Sequence, residues 1–323
     1  MILINKPKVI VIGGPTASGK TALSIALAKK IDGEIVSADS MQIYKDMTIG
    51  TAKPTPEEMD GIKHYLVDCV SPEIRYSVAD FKKDATEAIE EILAKGKIPI
   101  VVGGTGLYID SLVYGIDYNE IKVDLDYRNE LEELIESKGL DYLYDMAKEI
   151  DDKAMEKISR NDKKRICRVL EIYKSTGKTK TEMEAESRKN EVKYDFRVFA
   201  IDMDREKLYD RINRRVDLMI EAGLIEEVQN LIKKYPDMPT AMQGLGYKEV
   251  VQYFKGECSK DEMIETIKQE SRRYAKRQLT WFRKNKEIKW IDASKTLEEN
   301  TNFILDEIRW GNYRKESCKQ EKS

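Results

Sequence analysis

One stretch of the chain, GPTASGKT from Gly14 to Thr21, has the pattern G-x-x-x-x-G-K-[ST] between an apolar β-branched run and a helical segment. Its glycines let backbone amides approach an anion, and the start of the helix contributes the positive end of a dipole. Lys20 adds a charge, and the Thr21 hydroxyl can ligate Mg²⁺. The pattern predicts a di- or triphosphate site without identifying the compound. The predicted diphosphate-binding residues are Gly14, Pro15, Thr16, Ala17, Ser18, Gly19, Lys20 and Thr21.

Carboxylates and a hydroxyl follow other predicted strands. VSAD ends in Asp39, and AIDMD ends in Asp202 and Asp204. Asp39 is the better candidate partner of the phosphate loop, because the strand after the loop's helix commonly lies close to the loop. GGTGLY places Thr105 after another strand, where ligands bind in open α/β sheets. Taken alone, Asp39 could be a helix cap, and the glycines could form an ordinary turn.

The elements that must position these residues alternate between strands and helices. Apolar runs predict strands at KVIVIGG, within IDGEIVSAD, at Ile98–Gly104 and at Phe196–Asp202. Apolar residues at helical spacing predict helices at Lys20–Lys30 and Val78–Lys95. Strand, helix and strand in about forty residues form a βαβ unit. We therefore predict an α/β fold, a P-loop NTPase-like core with a mostly parallel sheet.

A helical insertion domain is predicted over 121–192, which contains no convincing strand, and it divides a core made of 1–120 and 193–323 with its C-terminal helices. In NDKKRICRVLEIYKSTGK the residues Lys164, Arg165 and Arg168 share one helix face, and Gly177 ends the helix. The segment 271–286 has seven basic and no acidic residues, together with three aromatic ones. Such faces suit nucleic acid, although each alone is more often simply solvated.

Composition excludes several other classes of protein. The 323 residues are 41% hydrophobic, carry a net charge of −3 and contain no apolar run long enough for a membrane helix. The start of the chain does not have the pattern of a secretory signal, so we expect a cytoplasmic protein. Four distant cysteines exclude a CxxC pair, and the single histidine excludes an HExxH metal site. No heptad seam is visible, so a monomer without an obligate protein partner is expected.

Several motifs in order resemble the tRNA dimethylallyltransferases over nearly the whole chain. They are GPTASGKT, ADSMQIYKDMTIGTAKP, GGTGLY, NDKKRICRVLEIYKSTGK, MDREKLYDRINRRVDLMI and YAKRQLTWFR. Enzymes of this family resemble P-loop kinases in fold. They transfer a dimethylallyl group from dimethylallyl diphosphate to the exocyclic amine of the adenosine 3′ of a tRNA anticodon. The resemblance implies that activity, with Mg²⁺ as cofactor and the tRNA anticodon stem-loop as partner.

The resemblance also implies roles for individual residues. Asp39 would be the base, Thr105 would lie beside the transferred group and the extruded adenine, and Arg215 would meet the diphosphate, with Arg214 as the nearby alternative. Thr21 would hold the metal. The residues expected to contact tRNA are Asp39, Ser40, Met41, Gln42, Thr105, Arg128, Lys164, Arg165, Ile166, Cys167, Arg168, Lys276, Arg277, Gln278, Trp281 and Arg283.

The chain departs from the family pattern in two places. Lys63 and Tyr65 flank His64 where Pro and His are usual, and Lys164 stands where Gln is common. We expect His64 to be structural. Two other functions fit parts of the sequence: a small-molecule or nucleotide kinase that uses ATP, and an RNA-binding module whose P-loop is a nucleotide switch.

Overall fold

A computed structural model describes residues 6–116, 124–187 and 191–320 of the chain. Its strands are β1 (Lys8–Gly13), β2 (Gly33–Ser37), β3 (His64–Tyr65), β4 (Ile98–Gly103), β5 (Asp195–Asp202) and β6 (Lys289–Asp292). Its α-helices are α1 (Lys20–Ile31), α2 (Pro56–Met59), α3 (Val78–Ala94), α4 (Gly106–Val113), α5 (Leu125–Lys138), α6 (Leu140–Ile150), α7 (Asp152–Met155), α8 (Lys163–Thr176), α9 (Lys180–Ser187), α10 (Arg205–Glu221), α11 (Leu224–Lys234), α12 (Tyr247–Phe254), α13 (Lys260–Phe282) and α14 (Leu297–Gln320). A 3₁₀ turn, Ala241–Gln243, precedes α12.

The described strands form one sheet in the order β3-β2-β4-β1-β5-β6, and every pair is parallel. Its centre is buried on both faces, as the apolar run Val9–Ile12 of β1 requires. Gly13 lies opposite Gly103 on one side and Ala200 on the other, so β1, β4 and β5 end at the same edge. The predicted α/β fold with a mostly parallel sheet is confirmed.

Two strands were not predicted from the sequence. β3 has only two residues, too few for any periodicity, and β6 (KWID) is short and half charged. Both lie at the outer sides of the sheet, where one neighbouring strand is enough to define them. The four predicted strands and the two predicted helices, α1 and α3, are all present.

A helical layer formed by α1 and α14 packs on the sheet. Leu23 and Leu27 of α1 and Ile304 of α14 share a buried cluster with Ile10 and Ile12 of β1. A second buried cluster joins the segment after β2 to α10, α11, α12 and α13. The long connection after β2, which includes Asp39, is held by this cluster against helices that are more than 160 residues away in the sequence.

The chain divides into two compact units, Met1–Ile109 with Lys193–Ser323, and Asp110–Val192. The described part of the second unit is helical, with a core that includes Leu143, Met155 and Val169. Gly177 ends α8 in a left-handed conformation (φ 70°), as predicted. The predicted boundary at residue 121 falls within 117–123, outside the described residues.

None of the helices in the described ranges combines the length and the apolar character needed to cross a membrane.

Candidate active site

The phosphate loop joins β1 to α1 at the carboxyl edge of the sheet. Ala17 and Gly19 have positive φ values of 62° and 96°, which turn successive backbone amides toward the same side. No side chain caps the start of α1, so its first amides stay available to an anion. The backbone geometry is therefore that of an anion cradle.

Lys20 lies half-buried within this loop. Its Nζ donates a hydrogen bond to the Pro15 carbonyl oxygen at 2.6 Å. Burial lowers the pKa of Lys20 from 10.5 to about 7, and Arg215 acts in the same direction while Asp39 opposes it. The protein holds this ammonium group in an environment where a bound anion would stabilise its charge.

Ser18 provides a second sign of an anion. Its hydroxyl oxygen is buried and, among the residues that the structure describes, is the one buried side-chain nitrogen or oxygen without a hydrogen-bond partner. Buried polar groups are nearly always paired, so this hydroxyl is suited to donate to a ligand. A phosphate oxygen in the loop would accept that hydrogen bond.

Asp39 lies just beyond the end of β2, in a tight turn. Its Oδ1 accepts hydrogen bonds from the amides of Met41 at 2.9 Å and Gln42 at 3.2 Å. Within the described ranges, Oδ2 accepts no hydrogen bond. The turn therefore fixes the carboxylate while leaving one oxygen available for chemistry.

Thr105 is held beside this turn. Its amide donates to the Ala38 carbonyl oxygen at 3.3 Å, and its hydroxyl oxygen accepts from the Ser40 amide at 3.2 Å. A methyl group on Gly103 would lie 2.1 Å from the Ala38 carbonyl oxygen, so only glycine permits this approach. The second glycine motif thus places Thr105 against the segment that carries Asp39.

Helix α13 covers both glycine turns. The buried Gln278 accepts a hydrogen bond from the Thr16 amide and donates one to the Gly104 carbonyl oxygen, both at 2.9 Å. A methyl group on Gly106 would lie 2.3 Å from the Trp281 ring. Both ends of the Gln278 side-chain amide are bonded inside the protein, so this residue joins the two loops. Its contact with tRNA stays a prediction.

Tyr274, one turn before Gln278 on α13, completes this wall, although no role was predicted for it from the sequence. Burial raises its pKa to about 12, and the charge of Asp39 adds to the rise, while a hydrogen bond with Thr105 opposes it. The phenol therefore stays protonated beside Asp39. Tyr274 is one of the three aromatic residues of the segment 271–286 and begins the motif YAKRQLTWFR, which was the sequence signal for it.

Helix α10 supplies arginines to the phosphate loop. Arg211, Arg214 and Arg215 line, with Ala17–Thr21, a cavity of about 300 Å³. Arg215 is the most enclosed of the three: burial lowers its pKa, and Asp39 opposes that shift. The geometry favours Arg215 over Arg214 at the diphosphate. Arg211 was missed, although its i, i+3 and i+4 spacing to the other two arginines places it on the same helix face.

A second cavity of about 320 Å³ adjoins the first, and Arg215 lines both. Asp39, Ser40 and Met41 lie on one side of it, and Tyr274 lies on another. Its walls are largely apolar, with side chains from α10, α12 and α13. A small apolar group and a planar base could meet here next to a carboxylate.

Gln42 is held within its own loop. Its side-chain amide donates to the carbonyl oxygens of Thr51 and Ala52, both at 3.2 Å, and its Oε1 lies 3.5 Å from the Ser37 hydroxyl. These bonds hold the two ends of the segment between Gln42 and Ala52 together. A contact with the target base stays a prediction for Gln42, while Asp39, Ser40 and Met41 reach the cavity.

The basic face of α8 belongs to the second compact unit. Lys164 and Arg165 are exposed, and Arg168 is half-buried beside Glu171 at 3.3 Å. Ile166 is fully buried in the core of that unit, so its predicted contact with tRNA is wrong. The predicted contacts were a continuous run of residues, 164–168, and such a run includes residues from both the exposed and the buried face of a helix. The buried Ile166 was included for this reason.

Two other predicted tRNA contacts on α8 and α5 have definite surroundings. Cys167 is half-buried, and burial raises the pKa of its thiol. Arg128 forms a two-pronged ion pair with the buried Glu171, with Nε 2.5 Å from Oε1 and Nη2 3.3 Å from Oε2. That pairing fixes the Arg128 guanidinium in one orientation at the unit's surface.

Three basic residues at the end of α13 and just beyond it are exposed: Lys276, Arg277 and Arg283. Arg283 lies 3.2 Å from Asp202 Oδ1, and Arg277 also lines the cavity beside Asp39. Trp281 is half-buried against Gly106, with the Lys284 ammonium 5.1 Å from its ring. One face of α13 therefore supports the glycine turns while the other presents cations.

Lys63 and Tyr65, two of the residues that depart from the family pattern, lie next to His64 at an outer strand of the sheet. The Tyr65 hydroxyl oxygen lies 2.9 Å from Glu34 Oε2 and 2.8 Å from Glu91 Oε1, so its single proton can be donated to either carboxylate, and Lys63 Nζ lies 3.0 Å from Glu91 Oε1. His64 Nδ1 lies 2.9 Å from the Ile62 carbonyl oxygen, and burial lowers the pKa of its ring. Lys63 and Tyr65 are thus members of a charged network on strand β3.

Comparisons with known proteins agree on one family. The sequence model of the family described as IPP transferase matches residues 42–285. A tRNA dimethylallyltransferase from Acetivibrio thermocellus is 53% identical over 303 residues, covering 92% of this chain and 97% of that protein. One from Carboxydothermus hydrogenoformans is 49% identical over 307 residues, covering 95% and 99%.

Solved structures agree. A tRNA isopentenylpyrophosphate transferase from Staphylococcus epidermidis superposes with a TM-score of 0.70 at 42% identity, covering 94% of this chain and 99% of that one. A eukaryotic dimethylallyltransferase acting on tRNA gives a TM-score of 0.73 at 33% identity, covering 89% and 74%. With a family match over most of its length and relatives near half identical, the chain belongs to the tRNA dimethylallyltransferase family, the IPP transferases.

Proposed function

We propose that this protein transfers a dimethylallyl group from dimethylallyl diphosphate to the exocyclic amine of the adenosine 3′ of a tRNA anticodon. The observation that carries the proposal is the adjoining pair of cavities, one over an anion cradle and one beside Asp39, with Arg215 lining both. The arrangement suits a donor with a diphosphate and a short apolar group. Because the acceptor is tRNA, we expect the enzyme to work in the cytoplasm.

The leaving group and its charge define the role of the cradle. As the allylic carbon–oxygen bond breaks, negative charge grows on the diphosphate. The loop amides, Lys20, the Ser18 hydroxyl and Arg215 line one cavity and would stabilise that charge. A buried, preorganised cradle is worth more here than donors in water would be.

The adenine amine that receives the dimethylallyl group needs a proton acceptor. The exocyclic amine of adenine is a poor nucleophile because its lone pair is delocalised into the ring, so its proton must be removed as it attacks. Asp39 carries a carboxylate oxygen that is free of the turn, and Tyr274 and Thr105 lie beside it. Extrusion of the base from the anticodon loop would bring its amine to this carboxylate.

Mg²⁺ suits the donor set at the loop. In the described part of the chain, no three His, Cys, Asp or Glu side chains cluster to hold a metal, so the protein would contribute few ligands. Mg²⁺ commonly keeps several waters and binds through substrate phosphates with few protein groups. The Thr21 hydroxyl at the start of α1 is the ligand we expect. When bound, the ion would neutralise part of the diphosphate's charge.

The proposed reaction can be tested directly. Incubation with unmodified tRNA and labelled dimethylallyl diphosphate should attach the label to one adenosine next to the anticodon, and nuclease digestion followed by mass spectrometry would locate it. A parallel reaction with labelled ATP should give no phosphoryl transfer. Phosphoryl transfer without prenyl transfer would instead support a kinase.

Asp39→Ala should lower the single-turnover rate by roughly two to four orders of magnitude, the usual loss for a general base. The affinity for tRNA should change little, because one carboxylate contributes no phosphate contact. Rapid quench with saturating donor measures the rate, and filter binding measures the affinity. A near wild-type rate would show that another group takes the proton.

Lys20 should make donor binding depend on pH. With its pKa near 7, Lys20 is charged at pH 6 and mostly neutral at pH 9, whereas the bound diphosphate favours the charged form. The dissociation constant for inorganic pyrophosphate should therefore rise with pH above 7, by up to about tenfold per unit from this group. Titration calorimetry in buffers of different ionisation heat would also detect proton uptake.

Lys20→Arg is the matched control, because guanidinium stays charged throughout this range. Subtracting its pH profile removes the contribution of pyrophosphate's own ionisation. Identical profiles for the two proteins would mean that Lys20 is already charged before the ligand binds.

Cations on α8 and α13 should bind tRNA through its phosphates. A net charge of −3 gives no diffuse attraction, so affinity must come from local contacts. Neutralising Arg165, Arg168, Lys276, Arg277 and Arg283 should weaken tRNA binding and flatten the plot of log affinity against log salt by about 0.7 to 0.9 per lost contact. Filter binding across a salt series measures both.

The matched control neutralises Lys29 and Lys30 at the far end of α1, away from the carboxyl edge of the sheet. These changes should leave the salt slope alone. An unaltered slope in the five-residue variant would mean that the two basic faces are only solvated surface.

A further inference from the structure

The segment from Thr48 to Gly50 is tied to a distant helix by one carboxylate. Glu227 of α11 accepts hydrogen bonds at Oε2 from the amides of Thr48 at 2.9 Å and Ile49 at 2.7 Å. Its Oε1 accepts from the amide of Gly50 at 3.1 Å. Three consecutive amides thus converge on a side chain more than 170 residues away in the sequence.

Tyr247 of α12 adds a fourth donor. Its hydroxyl donates to Glu227 Oε1 at 2.6 Å, and its ring lies close to the Gly50 backbone, since a methyl group on Gly50 would lie 2.5 Å from it. Burial and the nearby carboxylate raise the pKa of Tyr247 well above its usual range, so the hydroxyl stays a donor. Hydrogen bonds to an ionised acceptor are the strong kind.

Thr51, which follows Gly50, connects this held segment to the active site. The Thr51 carbonyl oxygen accepts from Arg215 Nη2 at 3.4 Å and from Gln42 Nε2 at 3.2 Å. Gly50 and Thr51 also line the cavity that contains Asp39. The carbonyl that faces the Arg215 guanidinium is therefore held one residue away from the amides that Glu227 binds.

We infer that Glu227 is a positioning residue for Arg215, acting through the Gly50–Thr51 backbone. This rests on the proposed function, in which Arg215 meets the diphosphate. A carboxylate with four donors leaves the loop few alternative conformations. The Thr51 carbonyl then orients the guanidinium toward the cavity over the phosphate loop rather than toward solvent. The neighbouring Glu226 is exposed and makes no such contacts within the described residues.

Glu227→Gln keeps the shape of the side chain but replaces one acceptor with an amide that cannot receive these hydrogen bonds. We expect about a tenfold or larger fall in kcat/KM for dimethylallyl diphosphate and a similar loss of inorganic pyrophosphate affinity, since a misplaced catalytic group commonly costs this much. The tRNA dissociation constant should stay within about twofold. Glu226→Gln makes the same change in charge on the same helix and should leave all three values unchanged.

A double-mutant cycle separates positioning from general damage. On an Arg215→Ala background, Glu227→Gln should change the pyrophosphate affinity and kcat/KM by less than about twofold, because its target is gone. If the fold-losses of Arg215→Ala and Glu227→Gln multiplied in the double variant, the two residues would act independently and the inference would be overturned. Should Glu227→Gln fold poorly, Tyr247→Phe removes one of the four bonds and goes through the same cycle, with a smaller loss that should again vanish without Arg215.

The measurement of pyrophosphate affinity in this cycle does not require an active enzyme. A wild-type protein that transfers no label would contradict the proposed function, yet the binding cycle would still decide whether Glu227 acts through Arg215. An active wild type with fully multiplicative effects would overturn only the role of Glu227.

Discussion

The side-chain amide of Gln278 is the interaction on which the site depends. It accepts a hydrogen bond from the phosphate loop at Thr16 and donates one to the turn after β4 at Gly104. Both loops end parallel strands that are adjacent in the sheet, but nothing in the sheet itself fixes the distance between the loops. Removing this amide would leave the buried Gly104 carbonyl oxygen without its partner, a loss of about 1–3 kcal/mol, and would also free the half-buried Thr16 amide. Helix α13 thus sets the spacing between the anion cradle and Thr105.

Charge balance is the second constraint. Lys20 and Arg215 are two half-buried cations, and Asp39 is a carboxylate that interacts with both, while Glu58 also interacts with Arg215. Loss of hydration disfavours the charged form of each cation and lowers both pKa values, and these carboxylates offset the shifts only in part. A diphosphate would bring the missing negative charge. The same imbalance that costs stability in the free protein therefore favours binding of the donor.

The two compact units divide the work expected of the enzyme. The first contains the sheet, both cavities and the basic face of α13, and the second carries the basic face of α8 on its own small core. In each unit the cations lie on a helix whose opposite face is buried. Local charge on such faces lets a chain with a net negative charge bind a polyanion.

The sequence by itself determined the fold class, the four central strands and the phosphate loop, because short-range patterns specify them: apolar runs, helical spacing and G-x-x-x-x-G-K-T. It also predicted that Asp39 and Thr105 lie at the same edge of the sheet, since residues at the ends of parallel strands gather there, and the structure places Thr105 against the segment that carries Asp39. Only the tertiary structure showed that Arg215 is more enclosed than Arg214, that Ile166 is buried, and that Gln278 and Glu227 bind the loops they hold. Those contacts join residues more than 170 positions apart or depend on which face of a helix is covered. Periodicity reveals that a helix has two faces, but the partner of each face is decided when the whole chain packs.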